Sequence, residues 1–126
     1  MTQVRSGLLL LIAALLTACS STAPSPVTGL TGVVVRGPVT PVCRVDVPCD
    51  APFSAAFTVQ RSGRIVAQFQ SDTSGQFSVL LAPGDYVVVP NADAPIISPS
   101  SQAKQVTVAD NNTLTTIRLM FDTGIR

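Results

Sequence analysis

The stretch Ser71–Val89, "SDTSGQFSVLLAPGDYVVV", holds two turn signals and two extended segments. Phe77, Val79 and Leu81 fall on every second position, the period of a strand with one face in a core. Before them, Asp72 can accept hydrogen bonds from its own turn and Gly75 can adopt a left-handed backbone. After them, Pro83 presets the angle into a turn, Gly84 can supply a positive φ, and the chain rises through Tyr86 to Val89. Phe77 should therefore open an inward face. Tyr86 should lay its ring against the core with its hydroxyl at the rim or bonded to backbone.

The same pattern extends outward in both directions. "GLTGVVVRG", Gly29–Gly37, reads as a first strand centred on Leu30 to Val35. "FSAAFTVQRSGRIVAQFQ", Phe53–Gln70, reads as a hairpin: Ala55, Phe57 and Val59 alternate, Ser62 and Gly63 turn, and Ile65, Ala67 and Phe69 alternate again. The Ser71–Val89 stretch reads as a second hairpin of the same grammar, entered by the Asp72–Gly75 turn and turning at Pro83–Gly84. Val106 and Val108, an "ADNN" turn, and Thr115, Ile117, Leu119 and Phe121 complete the series. The expectation is an all-β fold, an antiparallel β-sandwich of about seven strands spanning 29–126.

Two stretches interrupt the alternation. "PVTPVCRVDVPCDAP", Pro38–Pro52, is too rich in proline to continue a strand and is read as a loop. "PNADAPIISPSSQAK", Pro90–Lys104, is the longest segment without a clear period. Loops on a rigid sandwich vary at little structural cost and often carry recognition, so these two are the candidate contact surface. Ile96 and Ile97 are its candidate anchors, with burial as a lid over the sandwich edge as the competing role.

The front of the chain has a different grammar. "MTQVRSGLLLLIAALLTAC" carries one positive charge at Arg5, an apolar run from Gly7 to Leu16, and then small residues, the three-part layout of a secretory signal. The run is roughly half the ~20 residues a helix needs to cross a bilayer. Leu16, Thr17, Ala18 and Cys19 resemble the lipobox of bacterial lipoproteins. That resemblance implies a signal peptide over 1–18, cut before a lipid-bearing Cys19. Acyl chains there would hold the protein to a membrane at about 0.8 kcal/mol per buried methylene. Residues 19–28, small, uncharged and twice interrupted by proline after Cys19, read as a tether. Ser20 is not the aspartate that marks inner-membrane retention in many Gram-negative lipoproteins, so the resemblance implies the outer membrane in such a cell.

Three cysteines then resolve by arithmetic. Lipidation removes Cys19, and Cys43 and Cys49 are left to pair in an oxidising compartment. Two cysteines without histidine fall short of a structural zinc site, and Asp46 and Asp50 lack the spaced oxygen ligands calcium prefers.

The Ser71–Val89 stretch, with "TGVVV" and "FTVQRSGRIVAQF" before it, is similar to the carboxypeptidase regulatory-like, or transthyretin-like (prealbumin-like), β-sandwich domains. Asp72, Gly75, Phe77, Leu81, Pro83, Gly84 and Tyr86 occupy the positions of that family's pattern. The resemblance covers roughly Gly29 to Phe121 and implies a fold, not a chemistry.

Composition narrows the function further. The chain has no His, and its net charge of +1 includes Arg5 of the leader, so nothing argues for nucleic acid. Without histidine the common Ser or Cys nucleophile systems cannot be assembled. Lys104, the one lysine, is read as sitting in a loop. "FDTG", Phe121–Gly124, matches an aspartic-protease motif, but supporting strands follow the motif in those enzymes and two residues follow it here. It is read as a loose terminus. No cofactor or metal is expected. The expected function is a noncatalytic, membrane-anchored envelope lipoprotein that binds a protein or polysaccharide. The alternative is an inhibitor or accessory subunit of an exported enzyme.

Overall fold

The computed structural model describes residues 27–126. The leader, Cys19 and most of the tether lie outside the described residues. Within them are eight strands: β1 Gly29–Gly37, β2 Ala51–Pro52, β3 Ala56–Arg61, β4 Arg64–Gln70, β5 Gln76–Leu80, β6 Gly84–Pro90, β7 Lys104–Val108 and β8 Leu114–Asp122. A single 3-10 turn at Pro99–Gln102 precedes β7.

Two four-stranded sheets face each other. In the first, β8 runs parallel to β1 along its whole length, from Gly29 opposite Leu114 to Gly37 opposite Asp122. On the other side of β1, β5 pairs with Gly29 to Val33 and β2 with Val35 and Arg36, both antiparallel. The second sheet has the order β4-β3-β6-β7 and is antiparallel throughout.

The all-β expectation holds, with three differences of detail. The eighth strand is β2, two residues at the end of the proline-rich stretch; Pro52 is tolerated there because an edge position does not need its missing N–H. The pairing of β1 with β8 is parallel, so the sandwich is not purely antiparallel. Of the two stretches read as hairpins, only the one turning at Ser62–Gly63 is one: both residues have positive φ, 53° and 76°, as a two-residue turn matched to strand twist requires. Asp72–Gly75 leads from β4 in the second sheet to β5 in the first, and Pro83–Gly84 leads back to β6.

The turn residues nevertheless act as their chemistry dictates. Asp72 Oδ1 accepts from the backbone N–H groups of Ser74 and Gln76, each at 2.9 Å. Gly75 has φ 73°, and a Cβ there would meet the Val34 carbonyl oxygen. Tyr86 is 5% exposed and its hydroxyl donates to the Ala82 carbonyl at 2.6 Å. On β1, Gly32 lies so close to β8 that a Cβ would run into the Ile117 carbonyl oxygen, so the parallel pair depends on glycine at this position.

The core is aromatic at its centre. All five phenylalanines of the chain join one cluster. Phe69 of β4 stacks on Phe77 of β5 at 4.4 Å between centroids, and Phe57 of β3 contacts Phe121 of β8 at 5.6 Å. Each pair spans the two sheets. Such contacts add about 0.5–1.5 kcal/mol beyond burial itself, and Leu30, Val34, Val59 and Val88, all fully buried, fill the space around them.

β1 runs from the point of chain entry to the opposite end of the sandwich. The chain arrives at Val27, whose N–H donates to Asn112 Oδ1 at 3.0 Å, and Thr28 Oγ1 donates to the Leu81 carbonyl at 2.6 Å. Nine residues later β1 ends at Gly37, at the opposite end of the sandwich.

Candidate binding surface at the disulfide loop

The chain leaves β1 at Gly37 into a stretch where Pro38, Pro41 and Pro48 each remove a backbone donor, so no sheet ladder can form. Local bonds hold it instead. Cys43 and Cys49 form a disulfide with Cα atoms 5.4 Å apart. Val39 N–H donates to the Cys49 carbonyl at 2.8 Å, and Thr40 Oγ1 to the Val42 carbonyl at 2.9 Å. Inside the bridge, Val47 N–H donates to the Arg44 carbonyl at 3.3 Å, closing a turn in which Asp46 has φ 64°. Aspartate is among the few residues that accept this left-handed conformation readily.

The base of the loop is tied to the sandwich. Asp50 and Arg118 of β8 form an ion pair at 2.7 Å. Thr123 Oγ1 donates to the Pro38 carbonyl at 2.6 Å, and Thr123 N–H to the Gly37 carbonyl at 3.1 Å. What this frame presents is apolar. Val45 is 89% exposed, Val42 72% and Val47 57%. A hollow of about 600 Å³ lies against Val42, Val47, Pro41 and Pro48. A second, of about 620 Å³, opens between the disulfide, Pro38 and the exposed Met120 of β8.

The loop between β6 and β7 reaches the same end. Arg36 Nη1 donates to the Pro95 carbonyl at 2.8 Å while its guanidinium lies 5.9 Å from the Phe53 ring centre. Gln102 holds the loop to the end of β8: its Nε2 donates to the Asp122 carbonyl at 2.9 Å and its Oε1 accepts from Asp122 N–H at 2.7 Å. The two candidate isoleucines part ways here. Ile96 is buried in the core, whereas Ile97 is half exposed and packs beside Gly124. Both interruptions of the alternation thus meet at one end of the sandwich, joined through Arg36 and residues 122–123.

Two residues considered for chemistry sit otherwise than their sequence context suggests. Lys104 opens β7 rather than lying in a loop, with its ammonium 5.3 Å from the Phe121 ring centre. The Asp122-Thr123-Gly124 segment is not loose. Asp122 Oδ1 accepts from Gly124 N–H at 2.8 Å and Oδ2 from Arg126 at 2.9 Å. The Arg126 hydrogen bond, followed by that of Gly124, holds the Asp122 carboxyl below its ordinary pKa, and the same contact raises Arg126. An aspartate fixed as a charged cap is the opposite of one sharing a proton with a second carboxyl. Among the described residues no group of three or more acids and cysteines is placed to hold a metal ion.

No protein-family model and no curated protein matches the chain. Among solved structures the chain is similar to a DUF3823 family protein from Bacteroides ovatus, at 22% identity and a TM-score of 0.54. The match covers 76% of this chain and 44% of that one, so the chain spans less than half that protein's length. The likeness is one of β-rich fold.

Proposed function

We propose that the chain is a noncatalytic bacterial envelope lipoprotein, held to a membrane by lipid on Cys19, the outer membrane in a Gram-negative cell. Its carboxypeptidase regulatory-like sandwich acts as a binding module, with the disulfide-loop end as the contact surface. One observation carries the reading: the chain enters the sandwich at Val27 and leaves β1 at Gly37 for the stapled loop at the other end, ten residues on. At about 3.3 Å per residue that is roughly 30 Å. A lipid upstream of Val27 therefore attaches at the end opposite the loop, which leaves the loop uncovered by the anchor and open to whatever the compartment contains.

The partner that fits this surface is a protein rather than a polysaccharide. Sugar rings are commonly held by stacking on exposed aromatics, and here the five phenylalanines and the single tyrosine are all buried, with no tryptophan in the chain. Exposed valines and prolines on a preorganised loop suit a protein contact instead. The same rigidity supports the alternative of an inhibitor or accessory subunit, whose loop would enter an enzyme's cleft. Co-purification of an exported hydrolase with the full chain would favour that alternative.

The anchor is tested with Cys19→Ala in cells fed labelled palmitate. The native chain should take up label and the variant should remain an unlabelled precursor. Equal labelling of both would overturn the lipid assignment.

A further inference from the structure

We propose that the disulfide loop binds the same loop of a second copy of this chain about a two-fold axis at Val45, with Arg44 of each copy facing Asp46 of the other. The proposal deepens the binding-module reading and rests on it, naming the protein partner as the chain itself.

Val45 is the most exposed large apolar side chain among the described residues, at 89%. Opposite charges flank it, Arg44 before and Asp46 after. Neither takes part in an ion pair among the described residues, whose two ion pairs are Arg118–Asp50 and Arg126–Asp122. In a two-fold contact residue i meets j and residue j meets i. An axis through Val45 and across the chain direction sets residue 44 of one copy against residue 46 of the other, twice, whereas an axis along the chain would set like charges together. Arg-Val-Asp is its own complement in this arrangement. A different partner would have to supply the reverse order of charges around an apolar centre, whereas a second copy already has it.

On the axis Val45 of one copy meets Val45 of the other, and Val42 and Val47, also exposed, extend the apolar surface around that centre. The disulfide and the Arg44–Val47 turn fix the loop before the copies meet, so little conformational freedom remains to be lost on contact. A patch this small falls below the ~1,200 Å² of total buried surface typical of stable interfaces, so dilute copies should remain apart. Copies tethered to one membrane experience a raised effective concentration and should pair.

The test uses two differently tagged full-length chains co-expressed in the envelope, each with a benzophenone amino acid replacing Val42. Irradiation of the native pair should give a covalent product that carries both tags. Arg44→Asp in both copies, or Asp46→Arg in both, should lower that product at least fivefold. One copy carrying Arg44→Asp and the other Asp46→Arg should restore it, because every facing pair is again opposite in charge. Failure of the mixed pair to recover, native-like yield from either single variant, or a product joining the chain to another protein would each overturn the proposal. Palmitate uptake measured in the same cells separates the two ideas: labelled chains without a two-tag product sink the self-contact and leave the anchor standing. If the chains are unlabelled the anchor falls, and the same pairs, purified and concentrated, decide the self-contact on the recovery of the mixed pair.

Discussion

Val34 and Val45 lie within a dozen residues of each other and end in opposite environments: one has no exposed surface, the other is 89% exposed. The difference is in the backbone, not the side chain. Val34 sits on β1 inside its sheet, where its N–H donates to the Gly75 carbonyl at 2.8 Å, its carbonyl accepts from Phe53 N–H at 3.4 Å, and its side chain joins the same core cluster as Phe57. Val45 sits among prolines that no ladder accepts, on a loop kept in shape by a covalent bridge and one turn. Burying a valine is worth about 1.5–3 kcal/mol. Three of them stay in water on the disulfide-bridged loop, so the fold draws none of that stabilisation from them.

The largest expected effect lies on the core side of this contrast. Phe57 touches Phe53, Phe69 and Phe121, so truncating it opens a hole at the point where the sheets meet. Phe57→Ala should lower unfolding free energy by about 3–5 kcal/mol in denaturant titration. On the loop side, replacing both Cys43 and Cys49 by serine should cost about 2 kcal/mol, the chain-entropy value for so short a bridge, and leave the strand content of the circular dichroism spectrum intact. A larger loss from the cysteine pair than from Phe57→Ala would break the comparison. It would mean that the loop organises the sandwich rather than riding on it.

The same two regions differ in how legible they are from sequence. The strands of the core can be read because period-two alternation is a local property: Phe77, Val79 and Leu81 announce an inward face whatever lies opposite. The Ser62–Gly63 hairpin is legible for a similar reason, since Gly63 accepts positive φ and alternation resumes on both sides of a two-residue turn. What cannot be read locally is the partner. Asp72–Gly75 and Pro83–Gly84 bend the chain as expected, yet a bend between paired strands and a bend between sheets need the same residues. The parallel pairing of β1 with β8 rests on the closeness of Gly32 to Ile117, 85 positions away in sequence. Nor does sequence separate Ile96 from Ile97: the long loop has no period, and the bonds that hold it, Ile97 N–H to the Asp122 carbonyl and Gln102 to Asp122, are made to a strand far off in sequence. The disulfide followed from cysteine arithmetic, but the meeting of both irregular loops at one end is a product of topology.

On stability, Val45 itself should matter least. Val45→Ser removes two methyl groups and adds a hydroxyl at a site already open to water, where the folded and unfolded chains solvate the side chain almost equally. Its unfolding free energy should therefore match that of the native chain within about 0.5 kcal/mol, the usual range for a surface change. Were Val45 part of the core the same substitution would cost several times more, because a buried hydroxyl without a partner adds its own penalty to the lost apolar contact. The identical change should abolish the two-tag crosslink between copies, since it strips the apolar centre from both faces of a two-fold contact at once. A variant that folds as firmly as the native chain and no longer pairs would separate what holds this molecule together from what it presents to others. A measurable loss of stability at Val45 would show instead that the loop's valines serve the fold, and the contrast with Val34 would close.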